Sequence, residues 1–100
     1  MACGLLICAD VIDHILDPDR LLDYIDTVPA ERIILSTPDR SLMYGHRQRG
    51  WWGPPHNPWH IREWSFSEFA GYVSARFRII EHVITNRTQA TQMIVCARKD

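Results

Sequence analysis

The 100-residue sequence has no long hydrophobic run and no strong excess of charge of either sign. No apolar stretch approaches the ~20 residues of a membrane-spanning helix, and the opening Met-Ala-Cys-Gly lacks the charged start of a signal peptide. We therefore expect no membrane partner and a cytoplasmic location. A formal net charge of -1 gives the whole chain no attraction to nucleic acid or anionic lipid, so such a partner would need a local basic patch.

Cysteine is also scarce, and the three cysteines show no CxxC spacing. Cys8 and Cys96 lie within apolar, strand-like runs, where a free thiol behaves as a small hydrophobic group. We therefore expect the thiols to be buried or inert.

What the chain does contain is a globular composition, with 46% hydrophobic residues, enough for one small core. Leu5–Val11 is too continuously apolar for a strand with one solvated face, which favours a buried parallel strand. Asp17-Pro18 predicts the start of a helix, with aspartate at the N-cap and proline at the first helical position. Arg32–Ser36 predicts a second strand, so residues 1–36 are expected to form a strand-helix-strand unit.

Residues 37–64 form a long irregular stretch that is rich in Gly, Pro, His and Trp. A loop of this length in a compact domain is usually functional or disordered, and its tryptophans argue against disorder. We therefore predict one domain over 1–100 that contains a long functional loop.

Residues 65–98 predict a second helix and a terminal hairpin. Ser65 and Glu68 are spaced as a capping box, with Trp64 and Phe69 placed as a hydrophobic staple. Apolar residues at helical spacing continue from there to Phe77. Two apolar strands, Arg78–Thr85 and Thr91–Arg98, follow and are joined by a polar turn as an antiparallel hairpin.

In this order the segments resemble the C-terminal half of a class I S-adenosylmethionine-dependent methyltransferase. "DVIDHILDPDRLLDYI" resembles that family's fourth strand and the helix after it, and "RIILSTPDR" resembles the fifth strand. "NPWHIREWSFSEF" is similar to a segment before the last large helix, and "FRIIEHVI" and "TQMIVCARK" resemble the sixth and seventh strands. The resemblance implies an α/β, Rossmann-like fold with a mixed four-stranded sheet. Its last strand should lie antiparallel between the second and third, and its two main helices should share one face.

The first three strands and the glycine-rich cofactor turn of that family have no counterpart, because the five glycines form no GxGxxG-like cluster. The resemblance therefore implies the substrate-side half of a methyltransferase domain. In a complete enzyme S-adenosylmethionine would lie near Ala9 and Asp10. The implied reaction is methyl transfer to a hydroxyl of a small molecule, a glycan or RNA, and the isolated chain is expected to be inactive.

The stretch "ADVIDH" places Asp10, Asp13 and His14 at spacings that can point all three side chains to one side of a turn. Two branches of the resembled family, the ubiquinone-pathway O-methyltransferases and the small-RNA terminal 2'-O-methyltransferases, hold a divalent metal with this acidic-x-x-acidic-His pattern. His60, upstream of "EWS", matches a further ligand in the RNA branch. The resemblance implies Mg²⁺ or Mn²⁺ at Asp10, Asp13, His14 and His60, with His14 catalytic. The alternative is that Asp13 and His14 only cap the loop while Asp10 faces the cofactor.

Basic and aromatic side chains lie close together in the first part of the long loop, where they could track a phosphate backbone and stack on bases, or stack on sugar rings. These residues are Arg40, His46, Arg47 and Arg49, which lead into Trp51 and Trp52. The alternative is that the tryptophans cover an apolar sheet face while the arginines are solvated. Near the end of the loop, Arg62 and Glu63 form either an ion pair that frames the site or a salt bridge at the helix entry. The predicted substrate residues are Arg47, Trp51, Trp52 and Arg62.

Two other classes of function remain open: a non-catalytic, truncated relative that acts as an assembly domain, and an RNA-binding element. An upstream reading frame that encodes a strand and a glycine-rich turn would favour the enzyme. Strong salt-dependent RNA binding would favour the RNA-binding element. Without its neighbour in the complete fold, strand 5–11 becomes an apolar edge with no proline or lysine to block pairing. We therefore expect a homodimer joined through residues 5–11.

Overall fold

The computed structural model describes residues 3–40 and 63–99. In chain order these residues form β1 (Cys3–Ala9), a 3-10 turn (Ile12–His14), α1 (Pro18–Thr27), β2 (Ala30–Pro38), α2 (Phe66–Ser74), β3 (Phe77–Asn86) and β4 (Thr91–Arg98). The predicted helices and strands and their order are confirmed, whereas most of the predicted functional loop 37–64 lies outside the described residues and remains a prediction. The second helix is shorter than its apolar pattern indicated, because the chain turns after Ser74 and Phe77 is the first residue of β3.

The four strands form one mixed sheet in the order β1-β2-β4-β3. β1 pairs with β2 in parallel, and β4 is antiparallel to both of its neighbours, β2 and β3. The predicted insertion of the last strand between the second and the third is therefore confirmed. This order makes β1 the terminal strand on one side of the described sheet.

One face of this sheet carries the hydrophobic core. Its inward positions on the central strands are Ile33, Leu35, Ile94 and Cys96, all fully buried. α1 contributes Leu22 and Ile25 to the same core, and α2 contributes Phe69 and Val73. Side chains also join α1 to α2 and to the residues just after it, since the Tyr72 hydroxyl donates to Asp19 and Arg76 pairs with Asp23. The two helices therefore lie side by side on one face, as predicted.

β1 is less buried than its continuous apolar sequence indicated. Leu6 and Cys8 pack against the core, but the alternate side chains Leu5 and Ile7 are 50% and 60% exposed. The expectation of a strand covered on both faces is therefore wrong for the part of the chain that the structure describes. Within these ranges no helix is long and apolar enough to cross a membrane.

The local signals for α2 are confirmed. The Glu68 backbone N–H donates to Ser65 Oγ at 3.2 Å, and the Ser65 N–H donates to Glu68 Oε1 at 2.8 Å, which completes the capping box. The rings of Trp64 and Phe69 lie 5.6 Å apart between centroids, as a hydrophobic staple requires. α1 begins as expected with Asp17 at the N-cap and Pro18 in the first turn.

The two thiols whose surroundings are described are free, Cys8 half-buried and Cys96 buried. Burial raises the pKa of the Cys8 thiol, and it raises the pKa of Cys96 to about 11. Both groups therefore stay protonated and unreactive near neutral pH, in agreement with the expectation of inert thiols.

Candidate functional site

The candidate site lies at the carboxyl ends of β1 and β2, the edge at which open α/β sheets bind ligands. β1 ends at Ala9, and Asp10 turns the chain away from the sheet with a φ of 54°. Aspartate tolerates this left-handed backbone better than most residues. The Asp10 N–H donates to the backbone oxygen of Ser36 at 3.0 Å and to its Oγ at 3.2 Å. The turn is therefore tied to β2, and the Asp10 side chain is exposed just beyond the end of β1.

The 3-10 turn that follows places a carboxylate inside the protein and an imidazole at its surface. Ile12 and Asp13 are fully buried, while the side chain of His14 is 42% exposed. Asp13 Oδ2 lies 3.3 Å from His14 Nε2. Because a buried carboxylate is stable only when it is paired or hydrogen-bonded, this contact is part of what allows Asp13 to be buried. In return, Asp13 limits the orientations of the His14 ring.

A second group of buried charges lies where the chain leaves β2 and where it enters α2. Asp39, Arg40 and Glu63 are each less than 10% exposed. Asp39 and Trp64 form an isolated parallel bridge, and the Arg40 N–H donates to the Trp64 carbonyl at 2.9 Å. Arg40 Nη1 lies 4.0 Å from Glu63 Oε1. The two chain segments therefore run side by side, and their charged side chains neutralise one another in part.

A buried amide from β4 reaches the same two segments. Gln92 is fully buried, and its Nε2 lies within hydrogen-bond distance of three backbone carbonyls, those of Trp64 (3.1 Å), Pro38 (3.4 Å) and Ser65 (3.5 Å). Its Oε1 lies 2.8 Å from His82 Nε2. Carbonyl oxygens only accept hydrogen bonds, so the NH₂ group must face them and the Oε1 must accept from a protonated His82 Nε2. The amide orientation and the histidine tautomer therefore fix each other.

Of the predicted site residues, the structure brings Asp13 and His14 together and places Ala9 and Asp10 at the same edge. Within 3–40 and 63–99, no three or more His, Cys, Asp or Glu side chains cluster closely enough to hold a metal ion. The described residues thus give no support to the predicted Mg²⁺ or Mn²⁺ site. The other predicted site residues, His60, Arg47, Trp51, Trp52 and Arg62, lie outside the described ranges and remain predictions.

Sequence reasoning missed four buried polar residues at this edge: Thr37, Asp39, Arg40 and Gln92. The sequence predicts Arg40 in a solvated or RNA-facing loop, whereas the structure buries it beside Glu63. The predicted pairing of Arg62 with Glu63 lies outside the described residues and remains a prediction. The signal for these buried residues in the sequence is Asp39-Arg40 directly after an apolar strand, because charged residues at the carboxyl end of a strand are typical of ligand sites in α/β sheets. The burial of Asp39 and Arg40 depends on the distant segment at Trp64, which no local pattern reveals.

The sequence matches no family model and no curated protein. Its structure does match solved structures. One is described as the structure of the Pnkp1/Rnl/Hen1 RNA repair complex, with a TM-score of 0.66 and 19% identity over 94% of this chain. Another is described as the crystal structure of small RNA methyltransferase HEN1, with a TM-score of 0.68 and 16% identity over 97% of this chain.

The chain has a methyltransferase-like fold. It spans 22% of the matched chain in the repair complex and 14% of the HEN1 chain, a small part of each. At these identities the likeness concerns the fold. The mixed sheet and its two helices, which the sequence predicted by resemblance, are therefore also the elements that these structures share with this chain.

Proposed function

We propose that this chain is the substrate-side part of an S-adenosylmethionine-dependent methyltransferase that acts on a hydroxyl group. The observation that carries the proposal is the match of nearly the whole chain, 97%, to the structure named small RNA methyltransferase HEN1. The buried Asp13 beside His14, at the carboxyl edge of the sheet, gives the proposal a chemical location. Folds host many functions, so the reaction is inferred from the site and the match together.

RNA is the acceptor class that we propose among those left open by the sequence. The two solved structures named above are an RNA repair complex and a small RNA methyltransferase. The whole chain carries a net charge of only -1, so RNA would be held by local contacts such as the predicted Arg47, Trp51, Trp52 and Arg62. Small-molecule and glycan hydroxyls are the competing acceptors in the test below.

Within this proposal the residues of the described edge have separate roles. Ala9 and the exposed Asp10 are assigned to S-adenosylmethionine, which supplies the methyl carbon that leaves its sulfur for the acceptor oxygen. The carboxylate of Asp10 suits a ligand that carries hydroxyl and amino donors. His14 takes the proton that the acceptor hydroxyl loses, and Asp13 holds the imidazole from the buried side at 3.3 Å.

The test measures transfer of a labelled methyl group by the whole polypeptide that the reading frame encodes. The acceptors are a short RNA, the same RNA with a 2'-deoxy 3'-terminal nucleotide, a catechol and an oligosaccharide. We expect labelling of the unmodified RNA, and no activity from residues 1–100 alone, because the glycine-rich half of the cofactor site is absent from this sequence. A reading frame without that half, or a complete polypeptide that labels none of the acceptors, would contradict the proposal.

We also propose that residues 1–100 form a homodimer through strand 5–11. β1 is the terminal strand of the described sheet, it contains no proline or lysine, and Ile7 is 60% exposed. Sedimentation across a concentration series should show a dimer that Ile7→Lys dissociates. Ile80→Lys is the matched control, because Ile80 is 43% exposed on β3 at the other side of the sheet. A strictly monomeric wild-type chain at high micromolar concentration would refute the dimer.

A further inference from the structure

The inward positions of β4 contain one polar residue among apolar ones. Gln92, Ile94 and Cys96 alternate along the strand and are all fully buried. Gln92 lies on the inner strand β4, near the carboxyl end of β2, where it is opposite Thr37 of β2 and Ile84 of β3. A side chain of similar size without polar atoms would fill this space without the desolvation of an amide. Core packing alone therefore does not account for a glutamine at this position.

The hydrogen bonds of Gln92 do account for it. They join the end of β2, through the Pro38 carbonyl, to the start of α2, through the Trp64 and Ser65 carbonyls. The Trp64 carbonyl also accepts the N–H of Arg40, so one oxygen ties β4 to the segment that carries the Arg40–Glu63 pair. The Asp39 N–H completes the arrangement by donating to the carbonyl of Ala90, two residues before Gln92.

The side-chain oxygen of Gln92 is also fixed by a hydrogen bond. His82 Nε2 donates to Gln92 Oε1, and the His82 ring stacks on Phe66 with centroids 3.5 Å apart and planes inclined by 2°. Phe66 is the first residue of α2. The start of α2 therefore makes two contacts with this group: its preceding carbonyls accept from Gln92, and its first ring stacks on the histidine that orients Gln92. Polar networks of this kind rigidify their surroundings when every member is satisfied.

We propose that Gln92 is a positioning residue for the candidate site. Its amide, oriented by His82, fixes the Trp64 carbonyl and thereby the side-by-side placement of Arg40 and Glu63 at the carboxyl edge of the sheet. That this edge serves methyl transfer rests on the proposed function. The positioning itself is a property of the fold and is measurable without any activity.

The first experiment measures native-state hydrogen exchange in Gln92→Leu, a change that keeps the approximate volume and removes the amide. We expect exchange at the Arg40 and Asp39 amides to accelerate by about tenfold or more while the amides of β1 keep their protection. Gln89→Leu is the matched control, since Gln89 is exposed in the turn of the same hairpin, and it should change neither set. Equal acceleration at all amides, or none at Asp39 and Arg40, would overturn the proposal.

Should Gln92→Leu not fold, His82→Phe supplies the same test. It keeps an aromatic ring against Phe66 but removes the hydrogen bond that orients Gln92. The same selective loss of protection at Asp39 and Arg40 is expected, to a smaller extent, because the Gln92 NH₂ remains. Unchanged exchange at both amides would contradict the role of His82 as the orienting partner.

The second experiment uses the complete polypeptide and its methyl-transfer kinetics. Gln92→Leu should lower kcat/KM for the acceptor by about tenfold, while KM for the methyl donor, assigned to the separate strand β1, stays unchanged. Equal loss for both substrates would indicate general damage and contradict positioning. If the wild-type polypeptide shows no transfer, the proposed function fails, but the exchange experiment still decides the role of Gln92.

Discussion

At the residue scale, the polar side chains of the carboxyl edge differ in burial and therefore in their need for charged or hydrogen-bonding partners. Asp13 and Asp39 are almost completely buried, and a buried carboxylate needs partners to remain charged. Asp10 and His14 are exposed at the same edge, although His14 also contacts the buried Asp13. The buried pair of residues therefore belongs to the framework of the site, and the exposed pair is where a ligand can make contact.

Thr37 gives a residue-scale prediction. Its Oγ1 is buried at the end of β2 and, within the described residues, has no hydrogen-bond partner. Thr37→Val keeps the shape and removes this unsatisfied hydroxyl, so the free energy of unfolding should stay the same or rise by about 1 kcal/mol. Urea denaturation followed by circular dichroism measures the change.

The neighbouring Ser36 is the control for this substitution, because its Oγ accepts the Asp10 N–H at 3.2 Å. Ser36→Ala should lower the free energy of unfolding by roughly 1 kcal/mol. If Thr37→Val destabilises the protein as much as Ser36→Ala does, the Thr37 hydroxyl has a partner and this description of the edge is wrong.

At the scale of elements, α2 depends on its first turn more than on its length. The helix has only nine residues, and isolated helices this short are marginal in water. Ser65→Ala removes the acceptor for the Glu68 N–H and should lower the free energy of unfolding by about 1 kcal/mol. Ser67→Ala, on an exposed position of the same turn, should leave it nearly unchanged. Equal effects of the two substitutions in urea denaturation would contradict a stabilising capping box.

The elements also show which parts of the structure the sequence could predict. The start of α2 was predictable because a capping box depends on only four consecutive residues, here Ser65 to Glu68. The bridge between Asp39 and Trp64 was not, because it joins segments that are distant in the chain. Gln92 carried no signal either, since a polar residue in a strand ordinarily indicates a solvated side. Its burial follows from the segment at Trp64 and Ser65 and from α2, which pack on the face of the sheet that Gln92 occupies.

The strand order itself came from the family resemblance and not from periodicity. Apolar runs indicate strands but not which strands are neighbours, and the placement of β4 between β2 and β3 is non-local. The same runs overstated the burial of β1, because an exposed terminal strand and a covered one can have the same apolar composition. Sequence patterns thus described the elements of this chain well and their surroundings less well.

At the scale of the whole molecule, the described sheet places the candidate site at the carboxyl ends of β1 and β2. The described sheet supplies a carboxyl edge with Asp10, Asp13 and His14, whereas no glycine-rich turn is present in the sequence. The matched structures are several times longer than the stretch they share with this chain. Under the proposed function, this edge carries the acceptor chemistry, and most of the binding of the methyl donor is left to a glycine-rich turn that this sequence does not contain.

The most direct measurement of the proposed role of this edge in methyl transfer is the kcat of His14→Ala in the complete polypeptide, with RNA as acceptor. His14 contacts the buried Asp13 carboxylate, so its removal should lower the free energy of unfolding by about 1–2 kcal/mol, and circular dichroism first shows that the variant is folded under the assay conditions. Arg20→Ala is the control and should retain wild-type kcat, because Arg20 is exposed near the start of α1. His14→Ala should lower kcat by about a hundredfold, because the proton acceptor is lost. A folded His14→Ala variant with wild-type kcat would contradict the assignment of His14 as that acceptor.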